Sequence, residues 1–290
     1  MSLLIGLSFV DEAILISDSR VTFKRINTSS KDELRKVYQI GPNLSVGFTS
    51  TDVPFTLKLL KKMTKYSIEK AKHKATLYLL DKLPRVAKFE YDKISRNHRN
   101  KKPAMEFIFS GVVKDRGVRI TKDELLDRLN LSAGSAELPP QIAVNILKMD
   151  KGWIPIAPPS TVITKQTFPS GNVKPLKSLG IIISGTGSSI LDHISTNYKN
   201  MFCTIPTMRY TMLIKCFESF YRESGETTVG GLIQILSIKA KGVTPITYSE
   251  NRIDNNGHYK KISSTNFKKG EWIAKDEHGK IIKVRQNPLQ

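Results

Sequence analysis

Residues 2–22 read SLLIGLSFVDEAILISDSRVT, and the folding of this stretch decides how the rest of the chain is read. Two short apolar runs, 3–10 and 13–17, are joined by Asp11 and Glu12, a pattern that predicts a β-hairpin. A serine stands directly behind the start methionine, and Asp18-Ser19-Arg20 stands where the second run ends. Two readings follow. One is a surface terminus and a turn. The other makes Ser2 the first residue of the mature chain, with Asp18 beside it.

Working outward, residues 36–40 and 44–49 predict a second hairpin around Gly41-Pro42-Asn43. Thr51-Asp52 before Val53-Pro54 predicts a helix start, capped by an acidic side chain with proline in the first turn. Leu59, Leu60, Met63, Tyr66 and Ile68 then keep roughly helical period. A second helical stretch is expected over about 73–97, kinked or restarted at Pro84. Strand character returns at 105–113. Residues 120–150 read as helix plus polar loop, and 151–176, rich in proline, threonine and serine, as irregular structure. A buried strand at 179–184 runs into the glycine loop Gly185-Thr186-Gly187. Helices near 188–199 and 207–222 follow, then strands at 230–238 and 243–248. The tail from 250 is polar and basic, with one hairpin joining 271–274 to 280–284. Blocks of hairpins separated by helix pairs predict an α+β fold with sheets stacked between helical layers.

The bulk numbers set limits. A chain of 290 residues with 39% hydrophobic and 25% charged residues has the composition of a globular protein with a full core. Cys203 and Cys216 cannot build a disulfide scaffold, and both fall in apolar helical patterns, so buried thiols in a reducing cytoplasm are expected. The apolar start carries no basic leader, and Asp11-Glu12 interrupts it before membrane-spanning length, so no membrane role is expected. The five histidines show no metal-ligand spacing.

Taken together, S-x-x-x-G-x-x-F from Ser2, D-S-R-V-T from Asp18, K-V-Y-Q-I from Lys36 and V-G-F-T-S-T-D from Val46 resemble the proteasome β-subunit family and its bacterial ring-protease relatives. The match is densest over 2–60. It continues more weakly to 105–113, Ser184–Ser188 and Glu226–Gly231. The resemblance implies a four-layer αββα sandwich of the N-terminal-nucleophile hydrolase type over 2–249, with an insertion at about 120–176 and a basic extension over 250–290. It also implies a homo-oligomeric ring and an amide-bond hydrolase that needs no metal or organic cofactor. The family nucleophile, a threonine, falls on Ser2, and the family aspartate and lysine fall on Asp18 and Lys36. Thr186 aligns with a serine that contacts the terminal amine, and Glu226 with an aspartate. Ser50 stands where relatives place a glycine whose N–H serves the oxyanion, and Val229 where they place a serine. Arg20 is implied as structural near the site. Val21 and Thr22 would offer backbone to an extended substrate, and Phe48 would floor the pocket for the residue before the cleaved bond.

The chemistry suits those residue types. A serine hydroxyl is a weak nucleophile until a base takes its proton. A free α-amine titrates at about 7.7–8.0, so residue 2's own amine can be that base once Met1 is gone. A lysine near the hydroxyl stays charged when a carboxylate pairs with it, and its field favours the alkoxide. Serine lacks the methyl that stiffens χ1 in threonine, so a slower or less selective enzyme is expected.

The formal net charge of +20 is unusual, and fifteen Lys and Arg residues crowd 57–102. A solvated helix face is the plain reading. An acidic partner, or a nucleic acid held without any recognisable reading motif, is the sharper one. The rival to an enzyme is therefore a catalytically silent scaffold or binder of an anionic partner.

Overall fold

A computed structural model describes residues 3–9, 11–22, 30–31, 34–71, 74–97, 102–113, 118–120, 154–156, 160–176, 180–185, 190–202, 206–223, 229–248, 250–253, 259–268, 271–276 and 278–284. In chain order, the first half forms β1 (Leu3–Ser8), β2 (Ala13–Ser17), β3 (Val21–Thr22), β4 (Ser30–Lys31), β5 (Val37–Gly41) and β6 (Leu44–Ser50). Helix α1 (Val53–Lys65), a π-helical turn (Tyr66–Lys70) and α2 (Thr76–Asn97) follow, then β7 (Met105–Val113) and β8 (Val118–Ile120). The second half forms β9 (Ile154–Ile156), β10 (Ser160–Phe168), β11 (Asn172–Leu176), β12 (Gly180–Gly185), α3 (Ile190–Phe202) and α4 (Pro206–Glu223). It ends in β13 (Gln234–Lys239), β14 (Gly242–Pro245), β15 (Glu250–Ile253), β16 (Tyr259–Lys268), β17 (Glu271–Asp276) and β18 (Ile281–Val284).

The four-layer αββα sandwich expected from the resemblance is corrected by this architecture. The described chain is mostly antiparallel sheet, and helices are few. Two sheets have five strands, in the orders β12-β1-β2-β13-β14 and β11-β10-β7-β6-β5. A third has four, in the order β15-β16-β17-β18, and β3-β4 and β8-β9 form separate ribbons. The physical reason lies in the segments read as irregular or as tail. Residues 160–168, STVITKQTF, are rich in β-branched side chains and pair along their whole length with β7. The tail forms three successive antiparallel pairings rather than one hairpin. Most of the helix-plus-loop expected at 120–150 lies outside the described residues.

The local expectations can be checked element by element. The first hairpin pairs Leu4 with Ser17 and Ser8 with Ala13, and every side chain of β1 and β2 is buried, so these strands read as continuous apolar runs rather than alternating ones. Asp52 caps α1, its carboxylate accepting from Phe55 N at 3.0 Å. Phe55, Leu59, Leu60 and Met63 then face one apolar cluster shared with β5, β6, β7 and α2. Helix α2 continues through Pro84. Between the two five-stranded sheets, Gly47 permits a close approach, since a Cβ there would lie 2.4 Å from Leu4 Cδ1. Val37, Leu232 and Leu236 share a third cluster with Trp272 and Ala274 of β17. The chain after 250 is thus part of the same core as the strands before it.

Burial also shapes the alkaline limit of stability. The phenols of Tyr38, Tyr198 and Tyr210 are held protonated well above their ordinary range, chiefly because burial disfavours the phenolate. For Tyr210 a hydrogen bond to Glu12 adds to the effect. Unfolded phenols ionise near ~10. The native state therefore binds more protons above that pH, and its stability, complete below it, falls as pH rises. Arg35 acts in the opposite sense, because burial lowers its guanidinium to about 10. Three groups outweigh one, and the net loss from pH 9 to 11 is expected to be about 1–3 kcal/mol. A urea midpoint followed by circular dichroism measures it; a midpoint that does not move over this range would contradict the account.

Candidate functional site

The site is built where β2 ends and β1 begins. Their antiparallel pairing sets Leu3 and Asp18 at the same end of the hairpin, and the pairing of β1 with β12 sets Gly185 opposite Leu3. Asp18 and Lys36 are both fully buried, and Lys36 Nζ lies 2.7 Å from Asp18 Oδ1. The same ammonium donates to the Arg20 carbonyl at 2.7 Å. The carboxylate is held from several sides. Oδ1 also accepts from Leu3 N at 2.9 Å, and Oδ2 accepts from Arg20 N at 3.1 Å and Gly230 N at 3.3 Å. A carboxylate taken from water needs such donors, and an ammonium needs such acceptors.

The supporting shell comes mostly from the approach to β13. Gln234 is fully buried; its Oε1 accepts from Lys36 N at 3.0 Å and its Nε2 donates to the Leu34 carbonyl at 2.7 Å. Gln234 thereby fixes the backbone on which Lys36 stands. Ser19 Oγ accepts from Leu232 N at 2.8 Å, and Ser19 N donates to the Gly230 carbonyl at 3.2 Å. Arg20, 5% exposed, donates to the Val229 carbonyl at 3.4 Å. Its guanidinium rests on Gly230, where a Cβ would meet Arg20 Cζ at 2.4 Å. A side chain there would push the guanidinium aside.

Of the residues expected at the site, Asp18, Lys36 and Arg20 come together in this way. Ser2, Thr186 and Glu226 lie outside the described residues. Val21 and Thr22 form β3, paired with Lys31 and Ser30. Ser50 ends β6, and its hydroxyl joins the cap of α1, accepting from Asp52 N at 2.9 Å and donating to the Asp52 carbonyl at 3.0 Å. Phe48 is 1% exposed and packs between Tyr38 and Phe107 in the helix-side cluster. Val229 is buried as well, 2% exposed.

A pocket of about 190 Å³ opens at this end of the sheets, lined in part by Thr49, Ser50, Met105, Glu106, Phe168 and Gly185. Larger hollows of about 410 and 430 Å³ lie elsewhere, and none of the described site residues lines them. Beside the 190 Å³ pocket runs a polar chain. Thr49 Oγ1 and Ser184 Oγ are 2.7 Å apart, Ser184 Oγ donates to Glu106 Oε2 at 2.5 Å, and Lys165 Nζ lies 2.9 Å from Glu106 Oε1. Sequence reasoning missed Gln234, Glu106 and Lys165. Gln234 left a signal: a lone amide inside the run Leu232–Ile238, apolar but for it and Ser237. Glu106 and Lys165 left none, because only strand pairing brings them together.

Among the described residues no group of His, Cys, Asp and Glu could hold a metal ion, and no helix is long and apolar enough to cross a membrane. The buried pair can hold positive charge and a hydrogen-bonded backbone beside the start of β1, an arrangement suited to stabilising an alkoxide or oxyanion. Compared with known proteins, the chain matches no protein-family model and no curated protein sequence.

Proposed function

We propose that this chain is a proteasome-β-like amide-bond hydrolase whose nucleophile is the Ser2 hydroxyl, activated by the α-amine that Met1 removal uncovers. One observation carries the reading: Asp18 Oδ1 accepts at once from Lys36 Nζ and from Leu3 N, the nitrogen covalently joined to Ser2. The lysine charge is thereby tied to the peptide unit that begins at the nucleophile. The Ser2 amine takes the hydroxyl proton, and the oxygen attacks the substrate carbonyl. The oxyanion is met by the Ser50 N–H and by the field of Lys36. The C–N bond then breaks, the leaving amine takes the proton, and an ester remains. Water, deprotonated by the Ser2 amine now free of its proton, hydrolyses the ester and restores the serine hydroxyl. Asp18 keeps Lys36 charged and in place. Thr186 and Glu226 orient the amine, and Val21 and Thr22 present backbone to an extended polypeptide. The reading includes a homo-oligomer in the cytoplasm, consistent with the buried Cys216 thiol, which burial keeps protonated above its ordinary range.

Intact mass spectrometry with a peptide electrophile tests this. A chain that starts at Ser2 and takes up one electrophile there is expected, with no adduct in Ser2→Ala. The hydrolysis rate should rise through the amine's titration near ~8. A chain that keeps Met1 and stays inert to the electrophile overturns the proposal.

A second reading has its own observation. Helix α1 contains no acidic residue, and Lys58, Lys61, Lys62 and Lys65 are exposed along it, which suits an acidic protein or a nucleic acid. If the chain is a silent binder of that kind, retention on heparin should fall steeply with salt while the electrophile leaves it unlabelled.

A further inference from the structure

We propose that the 190 Å³ pocket receives one uncharged apolar side chain of the substrate, of leucine or methionine size, from a residue flanking the cleaved bond; this rests on the hydrolase reading above. The placement comes first. The pocket is lined by Ser50, the expected oxyanion donor, and by Gly185, which pairs with Leu3 in the sheet. It therefore opens beside the expected oxyanion donor and close to the start of β1, the strand that follows the expected nucleophile. Phe48, expected to floor the subsite, is buried in the core.

Size comes next. Pockets that hold a whole small ligand span roughly 300–1,000 Å³. A volume of about 190 Å³ suits a single side chain. Its walls are Met105 and Phe168, each 2% exposed, with the exposed Ala104 at the rim.

Charge decides what is refused. The hydroxyls of Thr49, Ser50 and Thr51 spend their hydrogen bonds on the protein. Thr51 Oγ1 donates to the Ala104 carbonyl at 3.1 Å, Thr49 bonds Ser184, and the Ser50 hydroxyl bonds the Asp52 backbone. Among the described residues Glu106 is the one charged lining residue, and its two oxygens already meet Lys165 and Ser184. A lysine entering the pocket would compete with Lys165 for Glu106, and an aspartate would face the Glu106 carboxylate. Either charge would leave water for little new pairing, which is costly. An apolar side chain meets a mostly apolar wall and displaces water from it.

The test reads binding and cleavage separately. The full chain, labelled with ¹³C at its methionine methyls, is titrated with acetyl-Ala-Ala-Leu-amide and with counterparts ending in Ala, Lys or Asp. The Met105 resonance, assigned with Met105→Leu, should shift saturably with the leucyl peptide. The Lys and Asp peptides should bind at least ~10-fold more weakly. Ala104→Phe fills the mouth from an exposed position and should weaken the leucyl peptide at least ~10-fold without changing the thermal midpoint. The same titration in Ser2→Ala should give the wild-type result. A Met105 resonance that never moves, or that moves equally for leucyl, lysyl and aspartyl peptides, overturns the subsite. Binding with the expected preference but without hydrolysis in the wild type overturns the Ser2 nucleophile and leaves the subsite standing. Hydrolysis that ignores the side chain does the reverse.

Discussion

Lys36→Met is expected to lower hydrolysis by at least ~100-fold and to destabilise the chain by about 3 kcal/mol. The two effects have separate causes. Activity falls because the ammonium that favours the developing anion is gone. Stability falls because Asp18 stays charged and buried without its cation. The cost sits at the low end of the usual range for a broken buried pair, about 3–5 kcal/mol, because the carboxylate keeps its bonds from Leu3, Arg20 and Gly230. Asp18→Ala should cost more, about 5 kcal/mol, since it strands an ammonium and three buried N–H donors together. Urea midpoints give the ordering, and turnover of a fluorogenic peptide gives the activity. If Asp18→Ala proves milder than Lys36→Met, the backbone donors do not hold the carboxylate as described. If Lys36→Met keeps full turnover, the lysine takes no part in the chemistry.

Trp272→Ala is expected to destabilise the whole protein by about 3–5 kcal/mol, the usual cost of emptying a large buried aromatic site. Trp272 is fully buried and shares its cluster with Val37 and Leu236, and its ring meets Phe267 at 5.2 Å in an edge-on contact. Phe267 in turn lies under the Arg35 guanidinium, 5.1 Å from ring centre to Cζ. The C-terminal sheet thus supports the segment that carries Lys36. Trp272→Phe should be much milder, about 1 kcal/mol, because the indole N–H it removes is buried and has no partner among the described residues. A single cooperative transition that shifts for Trp272→Ala is the expected readout. Loss of the C-terminal sheet alone, with the remaining transition unmoved, would show that the sheet is a separate unit.

How far the sequence reached depended on the range of the signal. The Gly41-Pro42-Asn43 turn, the Asp52 cap and the period of Leu59, Leu60 and Met63 were legible, because each is set by residues a few positions apart. The strand at 160–168 was not. Its threonines and serine read as loop, and its pairing partner β7 lies some fifty residues earlier. The same holds for the tail, where one hairpin was expected and a four-stranded sheet formed. An apolar strand end such as Phe48 looks alike in sequence whether it faces a cavity or a core.

For the site, the sequence by itself supplied the chemical types: an aspartate closing the first hairpin, a lysine opening the next strand and a serine behind Met1. Residue type and local spacing are properties of the written chain. Only the tertiary structure decided that Lys36 and Asp18 share one oxygen-to-nitrogen contact sealed from water, that Gln234 pins the lysine's backbone, and that Trp272 closes the core beside it. Those outcomes depend on which distant strands pair and on how much solvent the packed sheets exclude, and neither quantity exists until the chain has folded.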